Sequence, residues 1–282
     1  MQILKEKDAL KKQIAAFKKD NLSIGFVPTM GALHAGHLSL IKQALATCDK
    51  VVVSIFVNPT QFDNPDDLEK YPRTLAQDVE RISQLSGEVI IFSPPASEMY
   101  GNTVSSEKFS FDGLEHQMEG KFRTGHFDGV GTIVKKLFEM VEPDKAFFGE
   151  KDFQQLQIVK KMVQKEQLNV EVIGCPIDRE INGLARSSRN ERLSPEARQN
   201  AAFIYQVLQK VKQEFGTKSA LEINSWVSEE FKKNNALELE YFEIADEETL
   251  MTMQEKEDNQ KYRAFIAAYS GDIRLIDNIA LN

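Results

Sequence analysis

The sequence predicts an α/β protein, with a Rossmann-like parallel sheet covered by helices on both faces and a smaller C-terminal α+β domain with a short antiparallel sheet. Two observations carry this. Through about residue 175, short apolar runs rich in β-branched residues alternate with helical patterns, and strands buried on both faces read as continuous apolar runs. From about residue 176, two helical patterns are followed by three consecutive strand patterns, the order of an α+β unit. The expected domains are therefore 1–175 and 176–282.

Taken in order, Lys5 to Lys19 reads as an amphipathic helix with Leu10, Ile14 and Phe17 on one face. Ile24–Val27 is strand-like, and Leu38, Ile41 and Leu45 mark a helix. Val51–Val57 is too short and too branched to prefer helix. Leu75, Val79, Ile82 and Leu85 have helical spacing, and Val89–Phe92 follows as a strand. A helix through Val130, Ile133, Val134, Leu137, Phe138 and Val141 ends near Pro143. Strands Ala146–Phe148 and Val170–Ile173 flank a helix through Leu156, Val159 and Val163. In the second domain, helices run through Ala201, Ile204, Leu208 and Val211, and through Leu221, Trp226 and Val227. Strands Leu237–Ile244, Tyr262–Tyr269 and Ile273–Ile279 complete it.

A chain of 282 residues with 41% hydrophobic and 28% charged residues can build a sizeable core. Its 35 basic and 43 acidic residues give a net charge of −8, against a nucleic-acid-binding surface. No apolar run reaches the roughly 18–20 residues of a membrane span. The first residues lack the apolar core of a leader, and Glu6 and Asp8 argue against a transit peptide. Cys48 and Cys175 stand in no metal or redox spacing, as expected of a reducing cytoplasm.

Chemistry concentrates in four segments. Pro28 to His37 reads PTMGALHAGH, directly after the first long apolar run. A strand, a glycine turn and a helix start make an anion site, because free N–H groups and the helix dipole face the ligand. His34 and His37, three apart, fall on one face of that turn and can donate to one phosphate, or are a pair of capping histidines with no chemistry. A zinc site would need three or four ligands, and no cysteine or further histidine beyond His116 and His126 supplies the spacing. Val57 to Phe62, VNPTQF, follows the second strand, where Gln61 can hydrogen-bond a polar substrate through its amide, or the segment is turn chemistry alone. Phe148 to Gln155, FGEKDFQQ, offers Gly149 for close backbone approach, Lys151 as a point charge for phosphate, and Asp152 for ribose hydroxyls or a helix cap. Arg186, Ser187, Ser188 and Arg189 pack two guanidinium groups and two hydroxyls into a loop suited to a polyphosphate, or form a solvated basic loop. The stretches Gly125–Val130 (GHFDGV) and Tyr71–Arg73 (YPR) are turns with ionisable residues and no assigned role.

Together, PTMGALHAGH, VNPTQF, YPR, GHFDGV, FGEKDFQQ and SSRN resemble the motifs of the pantoate–β-alanine ligase (pantothenate synthetase) family, in order and over essentially the whole chain. The His-x-Gly-His element alone is shared with nucleotidylyltransferases and class I aminoacyl-tRNA synthetases. The resemblance implies ATP-dependent condensation of (R)-pantoate with β-alanine through pantoyl adenylate, with pyrophosphate and then AMP leaving. It implies an ATP site lined by Met30, Gly31, Ala32, Leu33, His34, Ala35, Gly36 and His37, with His37 as proton donor. Gly149, Glu150, Lys151 and Asp152 would contact the nucleotide, and Asp178 would meet adenine through its backbone. Arg186, Ser187, Ser188 and Arg189 would close over the triphosphate, with the smaller domain closing over the active site. Gln61 and Gln155 would hold pantoate. Magnesium would come with ATP rather than in a protein cage, with no tightly bound cofactor, and the working form would be a homodimer. The chain departs from the family at Thr124, commonly Pro, at Asn182, commonly Asp, and at Arg186, often Met.

Two other readings start from the same residues. Another adenylate-forming nucleotidylyltransferase would act on a phosphorylated substrate, but Gln61 and Gln155 are neutral where a phosphate wants cations. A nucleotide-binding regulator without turnover would have no need of His34, His37, Lys151 and Arg189 together.

Overall fold

The computed structural model describes residues 1–62 and 65–282. It divides into two compact units, the first formed by residues 1–115, 119–150 and 155–176, the second by residues 116–118, 151–154 and 177–282. Among the described residues, no helix is long and apolar enough to cross a membrane.

The first unit is built on six parallel strands: β1 (Gln2–Leu4), β2 (Ile24–Thr29), β3 (Lys50–Ile55), β4 (Ile90–Phe92), β5 (Lys145–Gly149) and β6 (Glu171–Cys175). They lie in the order β1-β4-β3-β2-β5-β6. The longer helices of the chain are α1 (Lys7–Lys19), α2 (Ala35–Thr47), α3 (Leu75–Ser83), α4 (His126–Val141), α5 (Phe153–Lys165), α6 (Phe203–Glu214) and α7 (Ala220–Lys233). Alternation along each strand serves two cores. Val27, Val53, Ile91 and Phe147 pack with Ile41 and Ala44 of α2 and Ile82 of α3. On the opposite face, Phe26 and Phe148 each meet the ring of Phe138 from α4 edge-on, at 6.1 and 6.3 Å. Apolar side chains pointing both ways are why these strands carry no polar alternation.

The strand β1 was not anticipated. It pairs Gln2, Ile3 and Leu4 with Ile90, Ile91 and Phe92, and three residues are too few to show a period.

The second unit carries β7 (Glu238–Asp246), β8 (Tyr262–Ser270) and β9 (Ile273–Ala280) as an antiparallel meander. Ala264, Ile266 and Ala268 of β8 join a core with Ile204, Leu208 and Val211 of α6 and Val227 and Phe231 of α7. Ser219 starts α7 in a reciprocal capping box with Glu222. The opposite face of β8 is covered by Phe153, whose ring lies under the Arg263 guanidinium at 3.9 Å and 5.9 Å from the Phe265 ring.

Candidate active site

The sheet order reverses beside β2: the chain proceeds from β2 to β3 and β4 on one side, then returns to β5 and β6 on the other. Strand β2 pairs with β3 out to Thr29↔Ile55, and β5 with β6 out to Gly149↔Cys175. Yet β2 and β5 pair with each other only at Gly25↔Lys145 and Phe26↔Ala146. The two strands therefore part toward their carboxyl ends, and such a switch point is where open parallel sheets bind ligands. Met30 leaves from one of these ends and Glu150 from the other. At Gly149 an added Cβ would meet nothing within 4 Å.

The turn after β2 is fixed by its backbone. Gly31 and Ala32 both take positive φ, 84° and 50°, which suits glycine and strains alanine. Asp78 of α3, 0% exposed, holds them there: its carboxylate accepts the N–H groups of Ala32 at 3.0 Å and Leu33 at 2.8 Å, and the Thr74 hydroxyl at 3.2 Å. A Cβ on Gly31 would come within 3.2 Å of that carboxylate. Arg81, one turn on, donates to the Leu33 carbonyl. Hydrogen bonds to a buried carboxylate contribute about 1.5–3 kcal/mol each, enough to offset the strain at Ala32.

His34 and His37 then close the first turn of α2 on each other. His34 is the N-cap, and its Nδ1 accepts the Gly36 N–H at 3.1 Å. The Nδ1 of His37 accepts the His34 N–H at 3.3 Å, and the ring centroids lie 4.1 Å apart. An Nδ1 that accepts an N–H carries no proton, so each neutral ring bears its hydrogen on Nε2. Both half-buried rings thus carry an Nε2–H at a helix N-terminus.

Gln61 ends the short 3-10 turn Pro59–Gln61 after β3. Asn58, 0% exposed, ties this turn down: its amide donates to the Gly129 carbonyl at 3.1 Å, and its carbonyl accepts from Tyr100 at 2.5 Å and Thr60 at 3.1 Å. A Cβ on Gly129 would stand 2.1 Å from the Thr60 carbonyl oxygen, so α4 can lie this close only with glycine there. The Gln61 carbonyl accepts from His126 Nδ1 at 2.9 Å and from Arg123 at 3.2 Å, while Arg123 also reaches His126 Nε2 at 3.2 Å. A carbonyl only accepts and a guanidinium only donates, so the His126 proton sits on Nδ1, the opposite tautomer to His34 and His37. The GHFDGV stretch is therefore the support of the VNPTQF turn. Gln155 lies half-buried in α5.

In the second unit, Lys151 and Asp152 lie in the 3-10 turn Glu150–Asp152. The Lys151 side chain is 17% exposed, with its ammonium 3.6 Å from the Asp152 carboxylate. Residues 178–186 form a tight hairpin: Arg179 bridges Ala185, the Arg186 N–H reaches the Asp178 carbonyl at 3.0 Å, and Arg186 Nε lies 3.1 Å from the Asp178 carboxylate. Glu180 anchors the following loop, accepting Arg198 at 2.8–3.0 Å and the Asn190 amide at 3.1 Å. The Arg198 hydrogen bonds hold the Glu180 carboxyl below its usual range. Ser187 caps the turn Ser188–Arg192 by accepting the Arg189 N–H at 3.3 Å, and Arg186, Ser187, Ser188 and Arg189 remain half-buried.

The first unit thus holds Met30 to His37, Gln61, Gly149, Glu150 and Gln155, and the second holds Lys151, Asp152, Asp178 and Arg186 to Arg189. Asp78, Arg81, Tyr100 and Arg123 carry no signal in the sequence, and Asn58 and His126 stand there in motifs without an assigned role, because their roles lie in contacts between distant segments. Among the described residues, no group of three or more His, Cys, Asp or Glu side chains is placed to hold a metal ion. Burial pushes the Cys175 thiol up to about 11, away from nucleophilic use.

Comparison with known proteins completes the picture. Residues 2–280 match the family described as Pantoate-beta-alanine ligase. A pantothenate synthetase of Christiangramia forsetii is 61% identical over 282 residues, covering 100% of both chains. The crystal structure of pantothenate synthetase from Thermus thermophilus superposes with a TM-score of 0.90 at 37% identity, covering 100% of this chain and 99% of that one. A pantoate-beta-alanine ligase from Francisella tularensis, solved with beta-gamma ATP and beta-alanine, gives 0.82 at 34% identity, covering 100% and 98%.

Proposed function

The chain belongs to the pantoate-beta-alanine ligase family, and on that premise we propose how its residues divide the work. The enzyme ligates (R)-pantoate to β-alanine at the expense of ATP. In the proposed sequence, the pantoate carboxylate attacks the α-phosphorus of ATP, the bond to the β-phosphate oxygen breaks, and pyrophosphate leaves. The β-alanine amine then attacks the carbonyl of pantoyl adenylate, loses a proton, and AMP departs with the electrons of the acyl–oxygen bond. No protein nucleophile takes part.

In this reading Met30 to His37 receive the nucleotide, and the Nε2–H groups of His34 and His37 stabilise charge as it builds on the phosphates. Lys151 does the same as a point charge. Arg186, Ser187, Ser188 and Arg189 close over the triphosphate with the smaller domain, Asp152 takes ribose, and Asp178 takes adenine through its backbone. Gly149 and Glu150 border the nucleotide, and Gln61 and Gln155 hold pantoate. The nucleotide enters as MgATP, its magnesium held mainly by phosphate oxygens. The proposal places the enzyme in the cytoplasm as a homodimer, with no tightly bound cofactor.

One observation carries it: two imidazoles with their protons on Nε2 stand at a helix N-terminus beside the open end of the β2–β5 seam. The test is exchange of labelled pyrophosphate into ATP without β-alanine. Exchange that requires pantoate is expected. Exchange without pantoate, or ADP and orthophosphate as products, overturns the adenylate route.

A further inference from the structure

We propose that Asn278, on the last strand of the chain, is a positioning residue that sets Lys151 for its work on the phosphates of ATP. The inference rests on the role given to Lys151 above.

Asn278 is 1% exposed. Its amide donates to the Lys151 carbonyl at 2.9 Å, across 127 positions of chain. Its side-chain oxygen accepts from Arg263 Nη1 at 2.7 Å. A guanidinium only donates and a carbonyl only accepts, so these partners leave the amide one orientation. Arg263 is itself buried, gives Nε to Glu247 at 2.8 Å, and lies over the Phe153 ring at 3.9 Å. Lys151 and Phe153, two residues apart, are therefore gripped by one Arg263–Asn278 pair, one through its carbonyl and the other through its ring face.

The neighbouring residue holds the other cationic segment. Asp277 accepts Arg179 through both oxygens, at 2.6 and 3.0 Å, and takes the Asn278 N–H at 2.8 Å. Arg179 reaches on to the Asn278 carbonyl at 3.3 Å and the Gly183 carbonyl at 3.1 Å, inside the hairpin that leads to Arg186. One dipeptide of β9 thus fixes both the Lys151 turn and the root of the arginine loop. An apolar side chain would fill this volume without the cost of burying an amide. The amide is satisfied at both ends, which suits a bridge rather than filler.

Asn278→Asp isolates the claim, because a carboxylate still accepts from Arg263 but has no N–H for Lys151. Its kcat should fall about 10- to 100-fold, the scale of misplacing a reacting group by about 1 Å. The KM for β-alanine should stay within about twofold. In a Lys151→Ala background the same change should cost no more than about threefold, since its effect passes through the ammonium already removed. The cycle is read in parallel in the dissociation constant of ATP, which stays measurable if turnover is lost. If Asn278→Asp does not fold, as judged by its thermal melt, Asn278→Ala takes its place. Normal turnover in the folded variant, or equal losses in both backgrounds, overturns the proposal alone. Near-normal kcat in Lys151→Ala by itself overturns the reading of Lys151, and this inference with it.

Discussion

The histidine turn and the cationic segments are built in opposite ways. Met30 to His37 owes its shape to its own backbone: two positive-φ residues, a helix start, and two histidines that cap it, with Asp78 as the external clamp. Lys151 and the arginine loop owe theirs to side-chain partners outside them, at Asn278 and Asp277 far away in sequence and at Arg198 just beyond the loop. The first region is set once its few residues fold and the Asp78 carboxylate meets them. The second inherits its geometry from a sheet and a helix that take no part in the chemistry. Changes beneath the first should therefore register chiefly in stability, and changes beneath the second in turnover as well as stability.

The largest effects test the two regions directly. His37→Ala and Lys151→Ala should each lower kcat by roughly 10²–10³, the scale of losing one transition-state donor. Only His37→Ala should also lower the melting temperature, because it removes the acceptor for the His34 N–H. Equal melting curves for the two variants would erase the contrast. Next, Asp78→Ala should cost about 2–5 kcal/mol in urea denaturation, since it strands the half-buried Ala32 and the buried Leu33 N–H groups, and should raise the KM for ATP. Unchanged stability there would show that the turn holds itself. Gly129→Ala should cost about 1–3 kcal/mol by forcing a Cβ against the Thr60 carbonyl, and should weaken pantoate more than ATP.

The smallest effect concerns pH and the arginine loop. The folded-state pKa of Glu180 lies below its ordinary 4.5, so the unfolded chain protonates first as pH falls. Its ionised form therefore adds stability above that value, and the contribution fades as pH drops through the folded pKa. Glu180→Gln should melt lower than the parent at pH 7, and the gap should close in acid. A gap independent of pH would mean that packing, not the Arg198 pair, holds the loop.

Most of the fold was legible because its signals are local. Val51, Val52 and Val53 declare a strand, and Leu38, Ile41 and Leu45 a helix, within one or two turns of chain. The histidine turn was legible for the same reason. Its clamp was not: Asp78 reads as one more polar position between the apolar residues of α3, and nothing local marks it as buried. His126 and Gly129 stood out as a turn with ionisable residues, yet their task, holding Gln61 and Thr60 more than 60 positions away, exists only after the sheet assembles. Asn278 sits in an apolar strand pattern, where one amide looks like an edge residue until Lys151 arrives beneath it.

We propose that both regions serve the phosphates of one nucleotide. A crystal structure of the enzyme with pantoate and a non-hydrolysable ATP analogue tests it most directly. The Nε2 atoms of His34 and His37, the Lys151 ammonium and the Arg189 guanidinium should all lie within about 3.2 Å of phosphate oxygens of that one molecule. Histidines on the phosphates with Lys151 and Arg189 beyond hydrogen-bond reach of any of them would contradict it.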